Sequence, residues 1–311
     1  MKKIILSLAA IVLAAGFASA QDMSEATEAA KSANEALVSK DYPTALAGFK
    51  TALTMAEACG EDGEELVNTC KGVIPSIILN IAKNQIKEAK YDEGLASLAD
   101  AIKAGEEYGS DDVVYNATTL VSQAKKAKAN ALVKAKDYVG AIAAYKEVLA
   151  DNPEDGQSAL QMGAALNATG DKEGAIAAFE QAMANGQKEN AANQLANIFL
   201  KDGQALLKEK KFKEALEACE KSNEYKESAN AYKLAASAAT QLKDNATAIK
   251  HYEKYLEVSP DAKDAAAIIF TVGALYQQAG NKAKALENYK KVLTDATYGP
   301  QAKPLVESLS K

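Results

Sequence analysis

Two stretches of this chain repeat one hydrophobic pattern. Ala141-Ile-Ala-Ala-Tyr145 is followed 34 residues later by Ala175-Ile-Ala-Ala-Phe179. In each, a small residue, an aromatic four positions on, and Val148 or Ala182 three beyond that fall on one face of a helix. Between the copies lie Pro153, a segment holding Met162-Gly163 and Leu166, and then Gly170. These predict a helix stop, a second helix with a glycine where another helix comes close, and a short turn.

The same frame extends along most of the chain. Taking the small residue as an anchor gives Ala45, Gly94, Ala141, Ala175, Ala215, Ala248 and Ala285, spaced by 49, 47, 34, 40, 33 and 37 residues. Four residues past the anchors stand Phe49, Leu98, Tyr145, Phe179, Cys219, Tyr252 and Tyr289. Three before them stand Tyr42, Tyr91, Tyr138 and Phe212, with Lys172, Asn245 and Lys282 as departures. Twelve before them, where two helices must touch, every residue is small: Ala33, Ala82, Ala129, Gly163, Gly203, Ala236 and Gly273. Small residues let helix axes approach at the short end of about 8–10 Å. The aromatics are expected to fill the space between one unit and the next. The extra length of the first two units lies at 57–74 and 106–120, read as lengthened helices with a glycine-bearing loop at 60–63 and a break near Gly109-Ser110. Pro75 is expected to open the first helix of the second unit.

This pattern resembles the tetratricopeptide repeat, a helix–turn–helix unit of about 34 residues. The resemblance implies an all-α fold: a right-handed helical solenoid of about seven repeats. Long repeats would span 23–121, standard repeats 122–297, and a capping helix 300–311, all within one domain from 21 to 311. Similar proteins present a concave surface, built by their first helices, to a peptide or a partner helix. Carried onto this chain, the inner positions are Gln123, Lys126 and Asn130, then Gln157 and Leu160 with Asn167. They continue as Asn197, Leu200 and Gln204, then Asn230 and Lys233, and finally Phe270. The groove so formed is rich in amides, which suit the alternating donors and acceptors of an extended backbone. Some members of the family clamp a peptide's terminal carboxylate with lysine and asparagine. Lys126 and Asn130 match two of those five positions; Gln161, Asn197 and Lys201 stand at the others.

Composition narrows the functional classes. The chain of 311 residues has a formal charge of −6, and no arginine occurs in it. Such a surface is a poor partner for nucleic acid, whose affinity comes mainly from basic contacts to phosphate. Six prolines and the lack of period-two alternation favour helices throughout. One histidine, His251, excludes a multi-histidine metal site, and it is expected to point sideways or to solvent beside Tyr252. No phosphate-binding glycine loop and no catalytic set is present, so neither enzyme nor cofactor is expected.

Residues 1–20 read as a secretory leader: Met1-Lys-Lys, an apolar core from Ile4 to Ala15, and Ala18-Ser-Ala20 before Gln21. No cysteine follows that core, so no lipid-anchor box is present, and no later stretch is apolar enough to span a membrane. A soluble exported protein, most simply periplasmic, is expected. In that compartment Cys59 and Cys70, flanking the 60–63 loop, form either a disulfide or two separate thiols. Cys219 replaces an aromatic and is read as a small, unpaired core residue. These features point to a non-enzymatic adaptor that binds protein or extended peptide in its groove. The alternative is a structural or assembly component of the cell envelope, self-associating through its lengthened N-terminal repeats.

Overall fold

The computed structural model describes residues 19–311, and the leader reading falls almost wholly outside them. Among the described residues the chain is helical, with no strand. It divides into two compact units, one ending at Glu154 and the other beginning at Asp155. The sequence shows no linker there. The break falls where Asn152 leaves the helical region, at φ −140°, just before Pro153.

The first unit holds α1 (Ser19–Val38), α2 (Tyr42–Ala58), α3 (Glu64–Lys87), α4 (Tyr91–Tyr108), α5 (Asp111–Lys134) and α6 (Tyr138–Asp151). The second holds α7 (Gly156–Thr169), α8 (Lys172–Ala184), α9 (Lys188–Lys208), α10 (Phe212–Tyr225) and α11 (Ala229–Gln241). It continues with α12 (Asn245–Val258), α13 (Ala265–Gln278), α14 (Lys282–Lys291) and α15 (Gly299–Leu309). Within each unit the helices pack in consecutive pairs. No helix among the described residues is long and apolar enough to cross a membrane.

One turn recurs in every pair. Five positions before each anchor the backbone enters the left-handed region, at Lys40, Ala89, Lys136, Gly170, Lys210, Lys243 and Gly280, with φ between 60° and 86°. At Lys136 the reversal is tied by Lys136 N–H to the Val133 carbonyl and Asp137 N–H to the Leu132 carbonyl, both 2.9 Å, which satisfies carbonyls the helix end leaves open. The next residue then caps the second helix. Asp41, Asp137, Asp171, Asp244 and Asn281 each accept from a backbone N–H three positions on, at 2.9–3.3 Å. At Lys90 and Lys211 no side chain caps the helix, so the left-handed turn is what all seven second helices share, and the side-chain cap reinforces five of them.

The anchors and the residues four beyond them are buried in all seven pairs. The pattern suggested that the aromatics lie between units; Phe179 and Tyr289 instead pack inside their own hairpin, against the glycine twelve before the anchor. A Cβ on Gly163 would come within 2.8 Å of the Phe179 ring, and one on Gly273 within 2.9 Å of the Tyr289 ring. The hairpin turn is short enough to bring these columns face to face. Burial of each such ring contributes roughly 1.5–3 kcal/mol. Two of the hydroxyls find partners as well: Tyr145 Oη donates to Asn130 Oδ1 at 2.6 Å, and Tyr289 Oη to Gln277 Oε1 at 2.9 Å.

The first unit departs from this scheme in its helix lengths. A tight 3-10 turn at Gly60–Gly63 joins α2 to α3, and α3 and α5 each run 24 residues. Gly109, at φ 71°, ends α4. Pro75 sits inside α3, eleven residues past its start, rather than opening it. The apolar stripe of Leu66, Cys70, Val73, Ile74 and Ile77 is continuous across the proline, and its burial holds the helix together there. Cys59, Cys70 and Cys219 are free thiols. Seven helical residues, a rise of about 10 Å, separate Cys70 from Gly63 at the base of the turn. Burial pushes the Cys70 and Cys219 thiols up to about 11. Burial, and then Asp22 and Asp62, raise that of Cys59.

In the second unit, Asp264 joins three elements. Its carboxylate accepts from Lys233 on α11 and from the Tyr255 hydroxyl on α12. The Lys233 hydrogen bond, then that from Tyr255, hold the Asp264 carboxyl below the usual range. The same bond pushes Tyr255 up to about 12. His251 is buried, contrary to expectation, with Nε2 2.9 Å from Glu220 Oε1 and its ring 6.0 Å from that of Tyr232. It stands three past its anchor. That column is small in five other hairpins (Gly48, Ser97, Ala144, Ala178, Ala218) and holds Asn288 in the last, and each of its residues is buried or half-buried.

Two outcomes follow. Gly203 lies against Cys219, so Gly203→Ala presses a methyl into the Sγ atom. It should cost about 1–3 kcal/mol, with Cys219→Ala in the same chain recovering part of the loss in denaturant melts. Asp264→Asn removes charge-assisted bonds worth on the order of 1 kcal/mol, or about 2–4 °C in melting temperature. Because the folded carboxyl is depressed, this stabilisation exists above the ordinary carboxylate value of about 3.9 and is lost as pH falls. The difference between wild type and D264N should therefore be present at neutral pH and shrink below about pH 4.

Candidate functional site

The second unit carries an open cavity of about 420 Å³ between α7, the start of α8, and α9. Its position follows from local sequence. Gly170 ends α7 in the left-handed region at φ 86°, and Asp171 caps α8, so Lys172 sits in the first turn of α8. In four other hairpins this position holds Tyr or Phe. Lysine there leaves the space a ring would occupy and adds a charge. Lys172 Nζ reaches Asp202 Oδ2 on α9 at 2.9 Å. The hydrogen bond to Asp202 raises the Lys172 ammonium above the ordinary lysine value.

Around this ion pair the lining is polar. Asn167, Gln194, Asn197 and Lys201 face the cavity, with Ile198 as its apolar part. All four polar residues are exposed. None of their side chains makes a hydrogen bond or ion pair among the described residues. The site thus offers three amides, each with donors and an acceptor to spare, and one ammonium. No group in it is a nucleophile beside a base. These groups can form hydrogen bonds and attract an opposite charge.

The structure brings together only part of the set read from the sequence. Asn197 and Lys201 line the cavity, and Asn167 joins them. Leu200 and Gln204 are half-buried further along α9. Gln157 is exposed on α7, where Leu160 and Gln161 are half-buried. Asn230 is exposed on α11, but Lys233 is committed to Asp264. Phe270 is no open apolar spot: it packs in an aromatic cluster, 5.3 Å from the Tyr289 ring and 5.4 Å from that of Tyr298. Gln123, Lys126 and Asn130 lie on α5 in the first unit, and Asn130 already accepts the Tyr145 hydroxyl.

Three polar cavity residues, and the apolar Ile198, escaped the sequence reading. Gln194 is supplied by the long α9, whose extra residues are visible as the 40-residue spacing between Ala175 and Ala215. Lys172 was visible as a departure from the aromatic column. Asp202 carried no signal of its own and is found only as the partner of Lys172.

Comparison with known proteins bears on this region. Models described as tetratricopeptide repeat match residues 132–198 and 229–262, about a third of the chain. No curated protein matches the chain. Among solved structures, the TPR2AB domain of yeast Sti1, in its pHSP90 complex, aligns at 17% identity over 93% of this chain and 99% of its own, with a TM-score of 0.35. MamA from Desulfovibrio magneticus aligns at 21% identity over 56% of this chain and 93% of its own, with a TM-score of 0.30. YrrB, a TPR protein with an unusual peptide-binding site, aligns at 20% identity over 58% and 91%, with a TM-score of 0.31. The matched residues cover α6 to α8, the first half of α9, and α11 to α12, so the cavity residues from Asn167 to Ile198 lie in sequence of this type, while Lys201 and Asp202 lie just beyond it. The chain contains tetratricopeptide repeats at residues 132–198 and 229–262.

Proposed function

We propose that this chain is a non-enzymatic scaffold that holds an extended stretch of a partner polypeptide in the α7–α9 cavity. The observation that carries the reading is the set of Asn167, Gln194, Asn197 and Lys201, exposed around one hollow and without internal partners. A peptide backbone presents donors and acceptors in alternation, which amides on two adjacent helices can meet. The tetratricopeptide repeats at 132–198 and 229–262 support the same reading. The proposed setting is outside the cytoplasm, most simply the periplasm, on the strength of residues 1–20 read as a leader.

Selection of random displayed peptides on the purified chain tests this. A selected peptide should lose about tenfold in affinity against Asn197→Ala/Lys201→Ala, the equivalent of one or two hydrogen bonds. Lys213→Ala, an exposed change on α10, should bind as wild type. Titration calorimetry reads both. Failure to enrich any peptide, or equal affinity for the double variant, contradicts the proposal.

A further inference from the structure

The turn between α8 and α9 holds the chain's one Asn-Gly step, Asn185-Gly186. Every other asparagine precedes a residue with a side chain. The difference is chemical. An asparagine side chain can close on the backbone nitrogen that follows it, and glycine, with no Cβ, leaves that nitrogen unshielded.

The local geometry opens the nucleophile to solvent. Asn185 has left the helical region, at φ −108° and ψ 44°, and Gly186 stands at φ 86°. Gly186 is exposed, a Cβ there would meet nothing within 4 Å, and its N–H makes no hydrogen bond among the described residues. Asp62, Asp155 and Asp202 also precede glycine, but Gly63, Gly156 and Gly203 are buried. The electrophile, by contrast, is restrained. Asn185 Nδ2 donates to the Gln181 carbonyl at 2.9 Å, and the backbone N–H bonds to the Gln181 and Ala182 carbonyls. The Asn185 carbonyl lies against the start of α7, where a Cβ on Gly156 would come within 2.0 Å of its oxygen.

We propose that Asn185 is a modification site: it converts to aspartate and isoaspartate through a cyclic imide with Gly186, at a rate set by loosening of the end of α8. Solvent hydroxide takes the Gly186 amide proton, and the nitrogen attacks Asn185 Cγ. The Cγ–Nδ2 bond then breaks, and Nδ2 takes up a proton and leaves as ammonia. Water adds to either imide carbonyl and opens the ring. The net reaction takes in water, releases ammonia and involves no change of oxidation state. Ring closure requires the bond to Gln181 to break, which a helix end permits more readily than a helix centre. The new carboxylate sits at the C-terminus of α8, where negative charge is unfavourable, and faces the Gln181 carbonyl that the amide had satisfied. Isoaspartate also adds an extra backbone atom to a turn packed on α7. Both changes weaken the hairpin that walls the α7–α9 cavity, so the modification ages the second unit. The reaction proceeds whatever the cavity holds.

The test ages the full chain in mildly alkaline buffer and follows the tryptic peptide from Glu173 to Lys188, in which Asn185 is the sole asparagine. The peptide should split into aspartate and isoaspartate forms, separated by chromatography and told apart by isoaspartyl methyltransferase. Peptides carrying the Asn-Ala steps at Asn116 and Asn245 should stay unchanged over the same period. Denaturant should speed conversion at Asn185 severalfold. Gly156→Ala, which presses on the Asn185 carbonyl, should speed it severalfold in native buffer and leave the rate in denaturant as it was. If that variant fails to fold, the comparison of native and denatured wild type decides alone. No conversion of the native chain while the denatured chain converts, or equal rates in the two, overturns the proposal, as does a folded Gly156→Ala chain that converts no faster than wild type.

Discussion

One contact recurs through the hairpins of this protein: a buried side chain on the second helix set against a residue with little or no side chain on the first. The Gly163–Phe179 and Gly273–Tyr289 pairs leave no room for even one methyl group, and Gly203 meets Cys219 in the same way. This fixes the distance between paired helices and, with the left-handed turn and its aspartate cap, their register. The turn is a strained conformation at Lys40, Ala89, Lys136, Lys210 and Lys243, where no glycine relieves it. It persists because backbone bonds across the turn and the contact columns on both helices determine it together, with a side-chain cap added after Lys40, Lys136 and Lys243. Loop chemistry, capping and packing agree on one geometry, which is the consistency expected of a sequence that specifies its fold.

Much of this was legible in the sequence because the small and aromatic columns recur at fixed offsets from the anchors. Helix existence, the lengthened elements at 57–74 and 106–120, and the 60–63 loop follow from periodicity and glycine placement. What the pattern missed is physical in origin. Pro75 looks like a helix start, yet a continuous buried stripe carries α3 through it. The aromatics were placed between units because periodicity gives the face of a helix but not which neighbour it meets. His251 was misjudged for lack of attention to its own column, where no residue is exposed and Ala144, Ala178 and Asn288 are buried as well. The division after Glu154 left no compositional trace.

The candidate site was less legible than the fold, for a related reason. Positions on a repeat surface follow from register, but whether a side chain is free depends on its neighbours. Lys233, Asn130 and Phe270 occupy the positions read from the sequence and are each engaged by a residue from another element or another part of the hairpin. Asn197 and Lys201 stand beside Lys172, one of three positions where the aromatic column is interrupted, and make no side-chain bond among the described residues. The cavity therefore opens beside an intact Gly163–Phe179 contact, where the separate column three before the anchors carries a lysine, and the Lys172–Asp202 pair lines the space.

That link between a missing ring and an open site is the core of the account, and Lys172→Tyr tests it most directly by restoring the aromatic column. Affinity of the variant for a peptide selected on wild type should be measured alongside its circular dichroism. The account predicts a folded helical protein whose peptide affinity has fallen at least about tenfold, a loss of roughly 1.4 kcal/mol. A folded K172Y chain that binds the peptide as tightly as wild type would contradict it.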